Sequence, residues 1–133
     1  MPFLIDTNIA IYLRDVQPEV TARIAAVGVR PSISLVSWIE LEGGITRDPA
    51  HAERRRRLTD ILLDALTIHP LDAPVVAAYR DIVAALGYSR RQVFDRLIAA
   101  TAIVHRLTLI TMNADDFRAV PGLSLEVWPA PPQ

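Results

Sequence analysis

Residues 3–14, FLIDTNIAIYLR, decide how the chain is read. Three apolar residues, 3–5, have the character of a short buried strand, and helix-like spacing resumes almost at once in IAIYL. Between them stands Asp6-Thr7-Asn8. All three residue types accept hydrogen bonds from the free N–H groups of a helix start, so a cap is one reading of Asp6. The other makes Asp6 a carboxylate of a metal site, with capping left to Thr7 or Asn8.

The pattern repeats along the chain. Residues 32–36 (SISLV), 66–71 (LTIHPL), 107–111 (LTLIT) and 123–128 (LSLEVW) read as strands. Between them, helices are expected over 18–27, ended by Gly28; 37–45, with Ser37 as its start; 49–66; 72–86, ended by Gly87; 93–106; and, briefly, 114–120. Strands alternating with helices predict an α/β sandwich around a mostly parallel sheet. Residues 1–128 form one domain on this reading, and PAPPQ (129–133) forms a flexible Pro-rich tail.

The 133 residues are half hydrophobic, with a formal net charge of −1. A core is affordable at this length, and the charge balance argues against a simple nucleic-acid coating protein. No apolar run reaches the roughly 20 residues of a membrane span. No basic segment precedes the first strand as a signal peptide would require, and the expected location is cytoplasmic. Cysteine is absent, which removes disulfides and thiolate zinc sites. All 14 basic residues are arginine, so no mechanism needing a lysine applies. Walker, GxGxxG and GxSxG motifs are missing. EGG (42–44) reads as a packing or turn signal.

In a parallel α/β sheet, strand C-termini and the starts of the following helices share one edge, where sites are built. Asp6 ends the first strand, Glu40 and Glu42 follow the second, and Asp115 and Asp116 follow LTLIT. Asp95 opens the helix that runs back toward LTLIT. Acids near helix starts are also favoured by the helix dipole, by about 0.3–1 kcal/mol each. For Asp95 that explanation weakens, because residues 94–104 are apolar nearly all round and a carboxylate there needs a positive partner. Arg96 is one candidate and a metal ion the other. Periodicity alone does not choose between Glu40 and Glu42. Oxygen donors without cysteine suit Mg²⁺ or Mn²⁺. His51, His69 and His105 fall in separate elements without paired spacing, which disfavours zinc.

FLIDTN (3–8), SWIELEGG (37–44), FDRLIAATA (94–102) and LITMNADDF (109–117) with VPGL (120–123) stand in an order and spacing that resemble the PIN-domain ribonucleases. Within these the chain looks most like the VapC toxins of VapBC toxin–antitoxin modules. The resemblance implies a three-layer α/β/α sandwich and an acidic cluster binding Mg²⁺ or Mn²⁺. It also implies endonucleolytic cleavage of a transfer, ribosomal or messenger RNA. Matched residue by residue, it assigns Asp6, Glu40, Asp95 and Asp116 to the metal, selecting Glu40 over Glu42. Asn113 takes the polar position, Asp115 is an extra acid beside Asp116, and Thr7 and Thr111 match hydroxyl positions. A VapB-type antitoxin and a homodimer are expected partners. IAIYL, VTARIAAV and Trp38 offer apolar surface for the former, and are equally explained as core.

An acidic site needs flanking cations to admit RNA. Arg90, Arg91 and Arg96, around the start of the Asp95 helix, are the expected phosphate contacts. Arg96 is equally explained by pairing with a nearby carboxylate. The run Arg54–Arg57 reads as a solvated charged turn. Two competing functions remain at this point: a phosphate-accepting receiver domain, disfavoured by the missing lysine, and a noncatalytic PIN-fold binding module.

Overall fold

The computed structural model describes residues 2–132, so Gln133 of the expected tail lies outside the described residues. Five strands, β1 (Phe3–Ile5), β2 (Ser32–Ser34), β3 (Thr67–His69), β4 (Thr108–Thr111) and β5 (Leu125–Val127), form one sheet in the order β3-β2-β1-β4-β5. All four pairings are parallel. β1 sits at the centre, which is why FLI is a continuous apolar run with no exposed position. Its side chains alternate between two cores. Phe3 and Ile5 enter one with Ile9, Ile24, Ile33 and Leu62, while Leu4 enters the other with Val75, Ile82, Ile98 and Leu109.

Those cores identify the layers. Helices α1 (Thr7–Arg14), α2 (Pro18–Val27) and α4 (Ala52–Ala65) supply the first; α5 (Ala73–Leu86) and α6 (Val93–Val104) supply the second. Helix α3 (Leu35–Ile45) contributes to both, through Leu41 and Val36. The result is the expected three-layer α/β/α sandwich. Gly28 ends α2 in the left-handed region, φ +78°, a conformation that glycine enters without steric cost. Among the described residues no helix is long and apolar enough to cross a membrane.

Boundaries moved where a local signal had two readings. β2 stops at Ser34, whose Oγ accepts from Val36 N at 3.1 Å and caps α3, so the helix begins at Leu35, two residues before the expected start at Ser37. Leu35 and Val36 suit a strand by composition, but the cap ends the strand before them. Residues 49–66 divide into a 3₁₀ turn, Pro49–His51, and α4. The helix expected over 114–120 is only a 3₁₀ turn, Ala114–Asp116. Residues 129–132 carry no helix or strand, and Ala130 borders a hollow with Asn8, Tyr12, Met112 and Asn113.

Candidate metal centre

The segments just past β1 and β4, the starts of α1 and α6, and the middle and C-terminal part of α3 enclose a cleft of about 600 Å³ lined by Asp6, Glu40, Asp95 and Asp116. Asp6 is only 4 % exposed, and each of its oxygens has a separate task. Oδ1 accepts from Ile9 N at 3.0 Å and caps α1; Oδ2 accepts from the hydroxyl of Thr111. The capping expected of Thr7 or Asn8 therefore belongs to Asp6, because a carboxylate has two oxygens and a helix start occupies one. Thr7 instead donates to Glu40 Oε1 at 2.6 Å, with its oxygen 2.9 Å from buried Ser37 Oγ. Thr111 Oγ1 also accepts from Asn113 N at 2.9 Å, and Asn113 Nδ2 donates to Asp116 Oδ2. Three of the four expected supporting residues thus each hold one carboxylate.

The fourth, Asp115, points away. Its side chain is 92 % exposed and lies 3.6 Å from Arg118. Glu42 also leaves the cleft: Arg56 grips it with two nitrogens at 2.6 and 2.8 Å, and Trp38 Nε1 donates to it at 3.1 Å.

Electrostatics separate the cleft from ordinary caps. Burial pushes the Asp6 carboxyl up; Thr111 and Ile9 oppose that, while Glu40 and Asp116 add to it. Asp95 is raised to about 6, chiefly by burial and then by repulsion from Asp116, Glu40 and Asp6. No arginine forms an ion pair with any of the four among the described residues. Arg96 is the correction here. It is buried, donating from Nη1 to Gly87 O at 2.5 Å and from Nη2 to Gln92 Oε1 at 2.8 Å. It neither partners Asp95 nor offers its guanidinium to a phosphate, and instead ties the start of α6 to the preceding turn. Arg90 and Arg91 are exposed in the turn before α6 but do not line the cleft.

The donor set fits a hard divalent cation by chemistry: it is oxygen-only and multiply anionic, and burial together with the neighbouring carboxylates raises Asp6 and Asp95. Among the described residues, no three acidic or histidine side chains are gathered closely enough to form a ready-made cage. The histidines behave differently from their sequence spacing. His69 and His105 stack with ring centroids 4.2 Å apart, outside the cleft. Sequence spacing missed this pair because β3 and the end of α6 meet only through the fold. Asn8, Ile39, Arg47 and Phe94 also line the cleft unforeseen. Gly43 and Gly44 complete its wall as bare backbone; a Cβ at either would meet nothing within 4 Å, so EGG is not a tight packing point.

Residues 3–123 match the PIN domain family. The chain belongs to that family, as a VapC ribonuclease. Ribonuclease VapC1 of Rickettsia felis is 32 % identical over 94 % of this chain and 95 % of its own length. Ribonuclease VapC2 of the same organism is 29 % identical over 96 % and 98 %. The solved structure of VapBC2 from Rickettsia felis, bound to a promoter DNA fragment, superposes with a TM-score of 0.84. It is 27 % identical, covering 96 % of this chain and 99 % of that one. As a VapC ribonuclease, the PIN chain is a nuclease, and its all-parallel α/β architecture is that of the VapBC structures.

Proposed function

We propose that this nuclease is the toxin of a toxin–antitoxin pair, an endoribonuclease that hydrolyses RNA phosphodiester bonds with Mg²⁺ or Mn²⁺. The observation that carries the reading is the convergence of Asp6, Glu40, Asp95 and Asp116, from distant parts of the chain, on one cleft without a cationic partner. These four would hold the cation, directly or through water. When bound, the cation supplies a lowered pKa for water and neutralisation of charge developing on the phosphate.

The protein's own part is positioning. Thr7, Thr111 and Asn113 each fix one oxygen of Glu40, Asp6 and Asp116, leaving the remaining lone pairs for the cleft. Ile9 N anchors Asp6 through the backbone of α1, so the carboxylate cannot swing without uncapping the helix. Arg96 secures the turn from which Asp95 projects. Arg90 and Arg91, exposed before α6, are proposed as outer phosphate contacts.

A VapB-type antitoxin is the proposed partner, supported by the complexes in which the structural neighbours were solved. Its proposed seat is the apolar hollow formed by Leu13, Val16, Ile24, Ile61 and Leu62 between α1, α2 and α4. A homodimer, a cytoplasmic location and a single domain over 1–128 with a flexible tail complete the proposal. Sequencing RNA 5′ ends after incubating total cellular RNA with antitoxin-free protein and Mg²⁺ tests the activity. Cuts at defined sites, lost with EDTA and with Asp95→Asn, support it. No new ends from a preparation that binds Mn²⁺ would return the chain to a noncatalytic binding role.

A further inference from the structure

Phe94 and Arg47 line the cleft without holding any of its carboxylates. Phe94 precedes Asp95 on α6, is 49 % exposed and joins neither hydrophobic core. Arg47, just beyond α3, is exposed in the same cleft. Among the described residues it has no hydrogen-bond or ion-pair partner, although four carboxylates line the cleft with it. It is the cleft's one arginine. Between Glu40 and Arg47 the wall is the bare backbone of Gly43 and Gly44, which leaves room for a flat group.

We propose that Phe94 is a stacking platform for the nucleobase beside the scissile phosphate and that Arg47 holds a neighbouring phosphate. The substrate then enters the cleft as an unpaired strand. The proposal rests on the ribonuclease reading and adds two side chains that would hold the RNA beside the metal-binding carboxylates. Bases inside an A-form duplex are stacked on one another and cannot reach a protein ring, whereas splayed single-stranded bases stack on aromatics whatever their identity. An apolar protein segment fits less well. The cleft that Phe94 lines also holds Ile11, Ile39 and Phe117, but with them stand the carboxylates of Asp6, Glu40, Asp95 and Asp116. Covering these with apolar atoms would strand buried charge. A nucleotide brings a flat apolar face and an anion for the one free guanidinium.

The test uses the cleavage-dead Asp95→Asn protein with Mg²⁺. Binding of fluorescein-labelled 12-nucleotide oligo(A), an abasic 12-mer and a 12-base-pair RNA duplex is measured by anisotropy. The expected order has oligo(A) tightest. Adding Phe94→Ala lowers oligo(A) affinity about tenfold, to the level of the abasic strand, and leaves the abasic strand within about twofold; Phe94→Trp restores it. Adding Arg47→Ala weakens both strands alike and reduces the slope of log affinity against log salt by about 0.7. Equal affinity for oligo(A) and the abasic strand overturns the platform, as does a Phe94→Ala protein that retains the preference. A Phe94→Ala protein that changes sedimentation but not RNA binding assigns the ring to an interface between copies and also overturns it. If the platform fails while the wild-type protein still cuts total RNA, the ribonuclease reading stands and only this subsite falls.

Discussion

Glu40 and Glu42 lie two residues apart on α3 and live in opposite environments. Glu42 is claimed by Arg56, which also grips Asp60, and its carboxyl is held below the usual range by those bonds. Glu40 faces the cleft, where a neutral hydroxyl, that of Thr7, donates to it and its neighbours are Asp6 and Asp95. Both are glutamates in one helix, yet one closes an ion-pair network between α3 and α4 and the other adds to a concentration of like charge. Matched charge belongs to the scaffold here. Unmatched, partly buried charge marks the place where a cation or substrate completes the balance.

The comparison breaks if removing an unmatched carboxylate has no consequence. Asp95→Asn and Asp6→Asn are expected to lower RNA cleavage by roughly a thousandfold or more while keeping the fold, since asparagine still caps α1 at position 6. A folded variant of either that cuts RNA at the wild-type rate would place the chemistry elsewhere. Glu40→Gln and Glu42→Gln sharpen the contrast directly. The first should reduce the rate by about a hundredfold or more, the second by less than about twofold, because an exposed bridge contributes little. Steady-state cleavage of one RNA by both proteins decides it.

Arg96 tests the opposite case, a cation used for structure. Arg96→Met removes the charge-assisted bonds from a buried guanidinium to Gly87 and Gln92, so a loss of about 1–3 kcal/mol in urea unfolding is expected. Arg90→Ala should leave unfolding unchanged and weaken RNA binding instead. If Arg96→Met unfolds like the wild type and only RNA affinity falls, Arg96 returns to the phosphate contacts.

The smallest effect concerns protons. Asp95 is raised from its ordinary 3.8 to about 6 in the folded protein, so the folded state holds that proton more tightly than the unfolded chain. Its contribution to stability is fully present below pH 3.8 and is lost as pH rises through about 6. In EDTA, the wild type should therefore lose more thermal stability than Asp95→Asn between pH 5 and pH 7.5, by about a few degrees. Mg²⁺ should raise the wild-type Tm more at pH 7.5 than at pH 5. Parallel pH curves for the two proteins would remove the repulsion assigned to Asp95.

Much of this protein could be read before folding it. The central strand, the helix stops at Gly28 and Gly87, the cap at Asp72 and the parallel α/β class all rest on local composition and period. The acids at strand ends were visible for the same reason. Ser34 shows the limit of that reading. Its own side chain ends the strand, and nothing in SISLV separates Ser34 from the equally plausible Ser37 until the α3 backbone is in place.

What the sequence by itself determined is the five strands and the main helices between them, their order, and that carboxylates gather at one edge of a parallel sheet. Only the tertiary structure decided that Asp6 serves cap and cleft with different oxygens, that Asp116 faces inward while Asp115 faces water, and that Arg96 is buried. It also brought His69 against His105 and left Phe94 and Arg47 unpartnered beside the acids. The reason is physical. Local signals act over one helical turn or one strand, whereas the direction of a side chain depends on how its element is rotated against the sheet. That rotation is set by Leu41, Ile98 and Leu109 in the two cores, packed against residues far away in the chain.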